Sequence, residues 1–290
     1  GSLPLLVYLR LCRPHQWTKN AFVAAALFFT PDAMTLANAG LVALGIVAFS
    51  LLASATYIVN DLVDREADRR HPTKRTRPLA SGAARSDVAL ALAAVLLAGG
   101  AAIGLWLGTP FLWWLAGYLA LTLAYSLALK CLSIVDVLAI AIGFVLRLEA
   151  GAALIAAVPS VWILLCTFLL ALFLAIAKRR DDLVGLLDAT HRASLAGYSK
   201  AFLDIAMAVV LAALMVFYAL YTTDAAVMQR LGSDQLYLSV PFVLAGCLRY
   251  LQMALVEERS GAPTELFWSD GFLLISVALW GLLMALLIYG

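Results

Sequence analysis

A short stretch around residue 60 combines regularly spaced carboxylates with a dense run of cations. Asp61, Asp64 and Asp68 are spaced i, i+3 and i+7, so on a continuous helix they share one face. Six of the thirteen residues after Asp64 are Arg or Lys. Carboxylates on one face suit Mg²⁺, which takes oxygen ligands, and the adjacent cations suit phosphate oxygens. The spacing therefore predicts a site for a metal-bound diphosphate, whereas a solvated loop would not need phased carboxylates.

The cations of this stretch fall on a predicted loop. Pro72 and Pro78 both break a helix. Lys74, Arg75 and Arg77 lie between them, and we expect this loop to fold over a ligand.

The composition identifies a membrane protein that crosses the bilayer many times. Of the 290 residues, 64% are hydrophobic and only 13% are charged, whereas an ordinary globular domain is roughly 25% charged. A spanning helix needs about 20 mostly apolar residues. Nine stretches fit this length: 19–36, 38–61, 86–107, 111–129, 133–156, 160–177, 199–222, 236–256 and 268–289.

These spans predict an all-α fold of about nine transmembrane helices. We expect one membrane domain over residues 3–290, with Gly1 and Ser2 as a remnant of cloning. Nucleic acid is not an expected partner.

The predicted loops differ in charge between the two sides of the membrane. The predicted loops on one side of the membrane contain a single cation, Arg230. They lie near 31–37, 108–110, 157–159 and 223–235. Nearly all Lys and Arg fall in the N-terminus and near 62–85, 130, 178–198 and 257–267. Because cytoplasmic loops carry the excess of Lys and Arg, we expect the N-terminus and the Asp-rich stretch in the cytoplasm. The C-terminus is then outside an inner, cytoplasmic membrane.

A second charged loop follows the sixth predicted span. It begins with three cations, Lys178, Arg179 and Arg180, followed by Asp181 and Asp182. A cationic run after a span commonly sets topology, but this run is mixed with acids.

Other polar residues lie inside or beside the predicted spans. Lys19 opens the first span, and Arg147 lies near the middle of the fifth. Ionisable groups within a span are costly and face a cavity or a partner, so we expect this of Arg147. Asp136 lies near the end of the fifth span, where it could be an interfacial cap.

The Asp-rich stretch resembles the UbiA superfamily of intramembrane prenyltransferases. The resemblance is carried by Asn60, the three aspartates and the Lys74–Leu79 segment, placed after the second of nine spans. It implies a helical fold around a central cavity, and a diphosphate substrate bound through Mg²⁺, or alternatively Mn²⁺, at two Asp-rich motifs.

The chain departs from that pattern after the sixth span. Most superfamily members carry a second Asp-x-x-x-Asp motif there, whereas this chain has Lys178 to Asp182. Together with six further segments, this makes the chain most similar to the decaprenyl-phosphate phosphoribosyltransferase branch. Those segments are 13–20, 143–147, 150–152, His191–Arg192, Tyr198–Ser199 and 261–265.

In that branch the donor is 5-phosphoribosyl diphosphate (PRPP) and the acceptor is a polyprenyl phosphate. The resemblance implies transfer of 5-phosphoribose to the lipid phosphate, with release of diphosphate, for cell-wall arabinan precursors. A homo-oligomer stays open as a further association.

The implied roles are as follows. Asp61, Asp64 and Asn60 are the expected catalytic residues, and Asp61, Asp64 and Asp68 are the expected metal ligands. The expected phosphate-binding cations are Lys19, Lys74, Arg75, Arg77, Lys130, Lys178, Arg179 and Arg180. A second motif would comprise Asp181, Asp182, Tyr125 and Tyr198.

Two other functions are alternatives. An aromatic prenyltransferase with a prenyl diphosphate donor would share the Asp-rich motif, but would be expected to keep a fuller second one. A transporter or lipid-binding protein would line a pathway across the bilayer, whereas the charges here crowd one predicted face.

Overall fold

The computed structural model describes residues 4–72, 74–185, 193–259 and 263–290. These residues form helices joined by short turns and contain no β-strand, which confirms the predicted all-α fold. His191, Arg192, Gly261 and Ala262, which contributed to the branch resemblance, lie outside the described residues.

The described ranges contain thirteen α-helices. They are α1 Pro4–Cys12, α2 Ala25–Phe28, α3 Leu36–Val63, α4 Arg65–Arg70, α5 Ser86–Leu107, α6 Thr109–Leu127, α7 Val135–Leu154, α8 Val161–Val184, α9 Lys200–Thr223, α10 Ala225–Leu231, α11 Val240–Leu255, α12 Pro263–Ser269 and α13 Gly271–Tyr289. Six short 3-10 segments join them in the described ranges: Pro14–Ala24, Pro31–Ala33, Lys74–Thr76, Leu129–Cys131, Ala193–Gly197 and Leu236–Ser239.

Side-chain caps fix where several long helices begin. The hydroxyls of Thr35, Ser160 and Ser199 and the carboxylate of Asp270 each accept a hydrogen bond from a backbone N–H in the first turn of α3, α8, α9 and α13. These contacts satisfy backbone donors that have no partner within the helix.

Within the described ranges, eight helices are long and apolar enough to cross a membrane. They correspond to eight of the nine predicted stretches. The remaining stretch, 19–36, is built differently, from the end of a 3-10 helix and from α2. Only residues 19–24 of that 3-10 helix and the four residues of α2 fall in this stretch, so it is not one of the eight long apolar helices.

The chain divides into two compact units. The first comprises Gly1–Phe28, Ala33–Leu129 and Leu146–Val158, and the second comprises Phe29–Asp32, Lys130–Val145 and Pro159–Gly290. The expectation of one domain over residues 3–290 stays a prediction.

Helix α3 is the centre of the first unit. It packs against α5, α6, α1 and the 3-10 helix Pro14–Ala24. Phe49, Phe111 and Tyr118 form one aromatic cluster in its core, with ring centroids 4.9 to 5.9 Å apart along the two contacts of Phe49. In the second unit, α9 packs against both α8 and α11, and α11 packs against α13.

Close packing in the first unit depends on a glycine of α7. A Cβ built on Gly151 would lie 1.9 Å from the carbonyl oxygen of Val23. The 3-10 helix can therefore approach α7 only where no side chain intervenes, as small residues permit between membrane helices.

We expect Gly151→Ala to destabilise the protein, because the backbone of Val23 would have to move. Overpacking of this kind costs about 1–3 kcal/mol. Gly117→Ala in α6 is the control, since nothing lies within 4 Å of a Cβ there. Thermal unfolding in detergent should show a lower midpoint for Gly151→Ala alone, and equal midpoints would contradict this packing.

Candidate active site

A buried carboxylate, Asp61, lies at the centre of a charge network in the first unit. Its Oδ1 accepts hydrogen bonds from Arg13 Nη2 at 2.6 Å and from Arg77 Nη1 at 3.2 Å. The same Arg77 nitrogen donates to Oδ2 of buried Asp68 at 2.8 Å. One guanidinium nitrogen therefore bridges two buried carboxylates.

The aspartates do not lie on one continuous helix. Helix α3 ends at Val63 and α4 begins at Arg65, with Asp64 at the junction in a non-helical conformation (φ −85°, ψ 1°). The expectation that three aspartates share the face of a single helix is thus corrected by this break. Asp61 and Asp68 are brought together across it by Arg77.

Arg13 belongs to this network, although sequence reasoning assigned it no role beyond the segment 13–20. It lies at the corner between α1 and the 3-10 helix Pro14–Ala24, in the left-handed region (φ 49°, ψ 59°). Ser54 of α3 fixes this corner, since its Oγ accepts from Trp17 Nε1 at 2.9 Å and donates to the Cys12 carbonyl at 2.7 Å. The guanidinium of Arg13 also lies over the Tyr57 ring, 5.2 Å from its centroid. The signal available in the sequence was a cation beside proline at the entrance of an apolar stretch.

The network opens into a pocket of about 540 Å³ in the first unit. Its lining combines apolar and charged residues: Leu6, Leu9, Arg10, Arg13, Pro14, His15, Asp61, Arg77 and Pro78. The volume is typical of small-molecule sites.

A second buried polar cluster surrounds Arg147, as expected for a cation within a span. Its Nε donates to Asn20 Oδ1 at 2.9 Å, and its Nη2 donates to the Tyr118 hydroxyl at 3.1 Å. Asn20 in turn donates to Ser50 Oγ at 3.0 Å. All four residues belong to the first unit and are buried.

In the second unit, a buried ion pair joins α7 and α8. Arg179 Nε donates to Asp136 Oδ2 at 2.6 Å, and the exposed fractions of the two side chains are 3% and 0%. The Tyr198 hydroxyl donates to Asp136 Oδ1 at 2.6 Å and accepts from the Ile134 N–H. Burial, together with the hydrogen bond to Asp136, raises the pKa of Tyr198, so it remains a protonated donor. Asp136 is therefore the anchor of this network, and the expectation of an interfacial cap is corrected.

The other charges of the second loop are also paired with one another. Arg180 forms an ion pair with Asp204 and donates to the Ala254 carbonyl. Lys178 lies 3.2 Å from Asp181 and 3.0 Å from Asp182. Each of these cations has a carboxylate partner, and their assignment to phosphate binding stays a prediction.

The remaining predicted residues occupy several positions. Lys74 and Arg75 lie on the short 3-10 turn after α4, and in the described part of the chain neither has a carboxylate partner. Asn60 is in the last turn of α3, and Lys19 is in the 3-10 helix Pro14–Ala24. Tyr125 lies near the end of α6 in the first unit, and Lys130 lies in the second unit.

No cluster of three or more His, Cys, Asp or Glu side chains is placed to hold a metal ion among the residues with assigned positions. Asp61 and Asp68 instead share a cationic nitrogen. The predicted metal ligands therefore stay a prediction.

The comparisons with known proteins decide the family. Residues 20–187 match the UbiA prenyltransferase family. The chain belongs to this family. It is an enzyme, a transferase embedded in the membrane.

Several known proteins are similar to this chain over nearly its whole length. Decaprenyl-phosphate phosphoribosyltransferase of Corynebacterium glutamicum is 33% identical over 97% of this chain and 86% of the relative. The protein of the same name from Mycolicibacterium smegmatis is 32% identical over 94% of this chain and 89% of the relative.

Solved structures share the fold. A UbiA homologue from Archaeoglobus fulgidus bound to GPP and Mg²⁺ has a TM-score of 0.74 and 21% identity, covering 98% of this chain and all of that chain. The same homologue bound to Cd²⁺ has a TM-score of 0.69 and 22% identity over equal shares. These likenesses establish a UbiA fold.

We expect Asp136→Asn to unfold the protein at a lower temperature, because it leaves the buried guanidinium of Arg179 without its charge partner. Breaking a buried pair costs about 3–5 kcal/mol. The control is Glu258→Gln, because the Lys200 and Glu258 side chains of that pair are both half exposed. This substitution should change the midpoint of thermal unfolding little. A midpoint equal to that of the wild type for Asp136→Asn would show that the buried pair does not stabilise the second unit.

Proposed function

We propose that this enzyme transfers 5-phosphoribose from PRPP to a polyprenyl phosphate of the decaprenyl type and releases diphosphate. The main support is the Asp61–Arg77–Asp68 network, of which Asp61 and Arg77 line the pocket. The names of the relatives, similar over nearly the whole chain, favour PRPP over a prenyl diphosphate as donor.

The carboxylates fit a divalent metal. Mg²⁺ is held in proteins by one or two carboxylates together with substrate phosphates. Asp61 and Asp68 already accept from one cationic nitrogen, so a positive charge is accommodated between them. We assign Mg²⁺, or Mn²⁺, to Asp61 and Asp68, with Asp64 at the adjacent helix junction. When bound, the metal would neutralise charge that develops on the leaving diphosphate.

The cations of the 74–77 loop would bind the diphosphate itself. Lys74 and Arg75 have no carboxylate partner in the described ranges, so their charges are available to phosphate oxygens. When a metal binds between Asp61 and Asp68, Arg77 would leave these carboxylates and contact the substrate phosphate instead. Asn60, one residue before Asp61, would orient that carboxylate or accept the ribose.

The bond changes balance without a proton transfer. An anionic oxygen of the lipid phosphate attacks C1 of the ribose, and the bond between C1 and the diphosphate oxygen breaks with its electron pair on diphosphate. Because the nucleophile is already ionised, no side chain needs to remove a proton. Charge stabilisation at the leaving group is then the protein's main contribution.

We place the site on the cytoplasmic face of an inner membrane, with the N-terminus cytoplasmic. The support is the excess of Lys and Arg in the loops on this side. PRPP is a soluble, charged substrate and would reach the site from the cytoplasm. The product would serve cell-wall arabinan synthesis.

The donor is tested by offering both classes to purified enzyme in detergent. We expect labelled PRPP and decaprenyl phosphate to give a labelled lipid, while geranyl diphosphate gives no prenylated 4-hydroxybenzoate. The reverse result, prenylated aromatic acid and no labelled lipid, would replace the proposal with an aromatic prenyltransferase.

Asp61→Asn should lower the transfer rate by about a hundredfold or more in Mg²⁺, because several kcal/mol of charge stabilisation are lost. Asp64→Asn should act in the same direction. The control is Asp87→Asn, which removes an exposed carboxylate paired with Arg85 outside the pocket lining. Wild-type rates for folded Asp61→Asn and Asp64→Asn would place the metal elsewhere.

A further inference from the structure

Helix α1 has two faces of different character. Val7 and Leu11, four residues apart, are 9% and 1% exposed and pack in a cluster with Ile58 of α3. Leu6 and Leu9 are 47% and 46% exposed. The helix is therefore held to α3 by one face and leaves apolar side chains uncovered on the other.

Two arginines follow the exposed leucines of α1 in the sequence. Leu6, Leu9, Arg10 and Arg13 are spaced i, i+3, i+4 and i+7, the spacing that places residues along one side of a helix. All four line the 540 Å³ pocket. Leu6, Leu9 and Arg10 thus form one side of α1, and Arg13 adds a second guanidinium at the corner that follows the helix.

The charge of the pocket favours an anion. Three guanidiniums, from Arg10, Arg13 and Arg77, line it together with the single carboxylate Asp61. Arg13 and Arg77 already contact Asp61, whereas Arg10 has no carboxylate partner among the described residues. At least one full positive charge is left uncompensated.

The backbone at Arg13 is held in a conformation that a non-glycine residue adopts at a cost. Its left-handed φ of 49° lies directly before Pro14. The hydrogen bonds of Ser54 to the residues on either side maintain the corner. Strain persists where the surrounding structure over-determines it, which occurs at ligand sites.

We propose that this pocket binds the acceptor, with the lipid phosphate at Arg10 and Arg13 and the first isoprene units against Leu6 and Leu9. This assignment rests on the proposed function and gives the acceptor a subsite of its own. PRPP carries phosphate at both ends and has no apolar part to cover the leucines. A polyprenyl phosphate has one phosphate and a long apolar chain, and so matches both parts of the lining.

The subsite adjoins the carboxylate network through Arg13. An acceptor phosphate at Arg13 lies next to Asp61, because the two side chains are 2.6 Å apart. Arg13 therefore connects the nucleophile's subsite to the carboxylates assigned to the leaving diphosphate.

The test measures binding without a donor. Purified enzyme in detergent is titrated with tritium-labelled decaprenyl phosphate, with unlabelled decaprenol and with inorganic phosphate as separate competitors. We expect decaprenol and phosphate to compete poorly, because each satisfies only half of the pocket. Arg10→Gln should weaken binding by about tenfold or more, the loss expected for one charge-assisted contact. Leu9→Ser should also weaken it.

Two exposed positions outside the lining are matched controls. Leu5→Ser changes a leucine of the same helix that is 70% exposed, and Arg85→Gln changes an exposed arginine of the same unit. Neither should alter binding. In turnover assays Arg10→Gln should raise the KM for the lipid and leave the KM for PRPP unchanged.

The outcomes separate this inference from the proposed function. Phosphoribosyl transfer with lipid binding and KM unaffected by Arg10→Gln and Leu9→Ser would overturn the subsite and leave the function. Lipid binding that depends on Arg10 and Leu9, without transfer from PRPP, would keep the subsite and overturn the donor. Equal competition by inorganic phosphate would overturn the lipid assignment in favour of a soluble phosphate.

Discussion

The burial of Asp61 is the constraint on which the first unit depends. An ionised carboxylate taken out of water is costly unless cations and hydrogen bonds compensate it. Here the compensating cations come from positions 48 residues before and 16 residues after it in the chain. The pairing therefore ties the corner after α1 and the loop after α4 to the end of α3. The segments that define the pocket are fixed by the same contacts that compensate this buried carboxylate.

The second unit also contains a buried carboxylate that is compensated by a cation of the same unit. Asp136 is fully buried and is paired with Arg179, and Tyr198 supplies a further hydrogen bond. Arg179 and Arg180 were expected to bind phosphates because the family resemblance implies phosphate-binding cations after the sixth span. A phosphate that reached either one would have to compete with Asp136 or Asp204. Lys74 and Arg75 of the first unit meet no such competitor among the described residues, which makes them the stronger candidates.

Much of this could be predicted from local pattern. Apolar length predicted eight helices correctly, because a membrane span is a property of about 20 consecutive residues. The stretch 19–36 was predicted as a ninth helix of the same kind but has a partly 3-10 backbone, which hydropathy does not distinguish from an α-helix. The Asp-rich stretch and the burial of Arg147 could be predicted because each is recognisable from the residues of a single segment. The Arg13–Asp61 and Asp136–Arg179 contacts did not, since pairs 48 and 43 residues apart are set by tertiary packing.

We propose that Asp61 and Asp68 are metal ligands and that Arg77, which contacts both, balances their charge when no metal is bound. Manganese binding without substrate, followed by electron paramagnetic resonance, tests it directly. If the claim holds, Arg77→Gln binds Mn²⁺ more tightly than the wild type, because the ion no longer displaces a guanidinium, and Asp61→Asn binds it more weakly. Unchanged Mn²⁺ affinity in both variants would contradict the account.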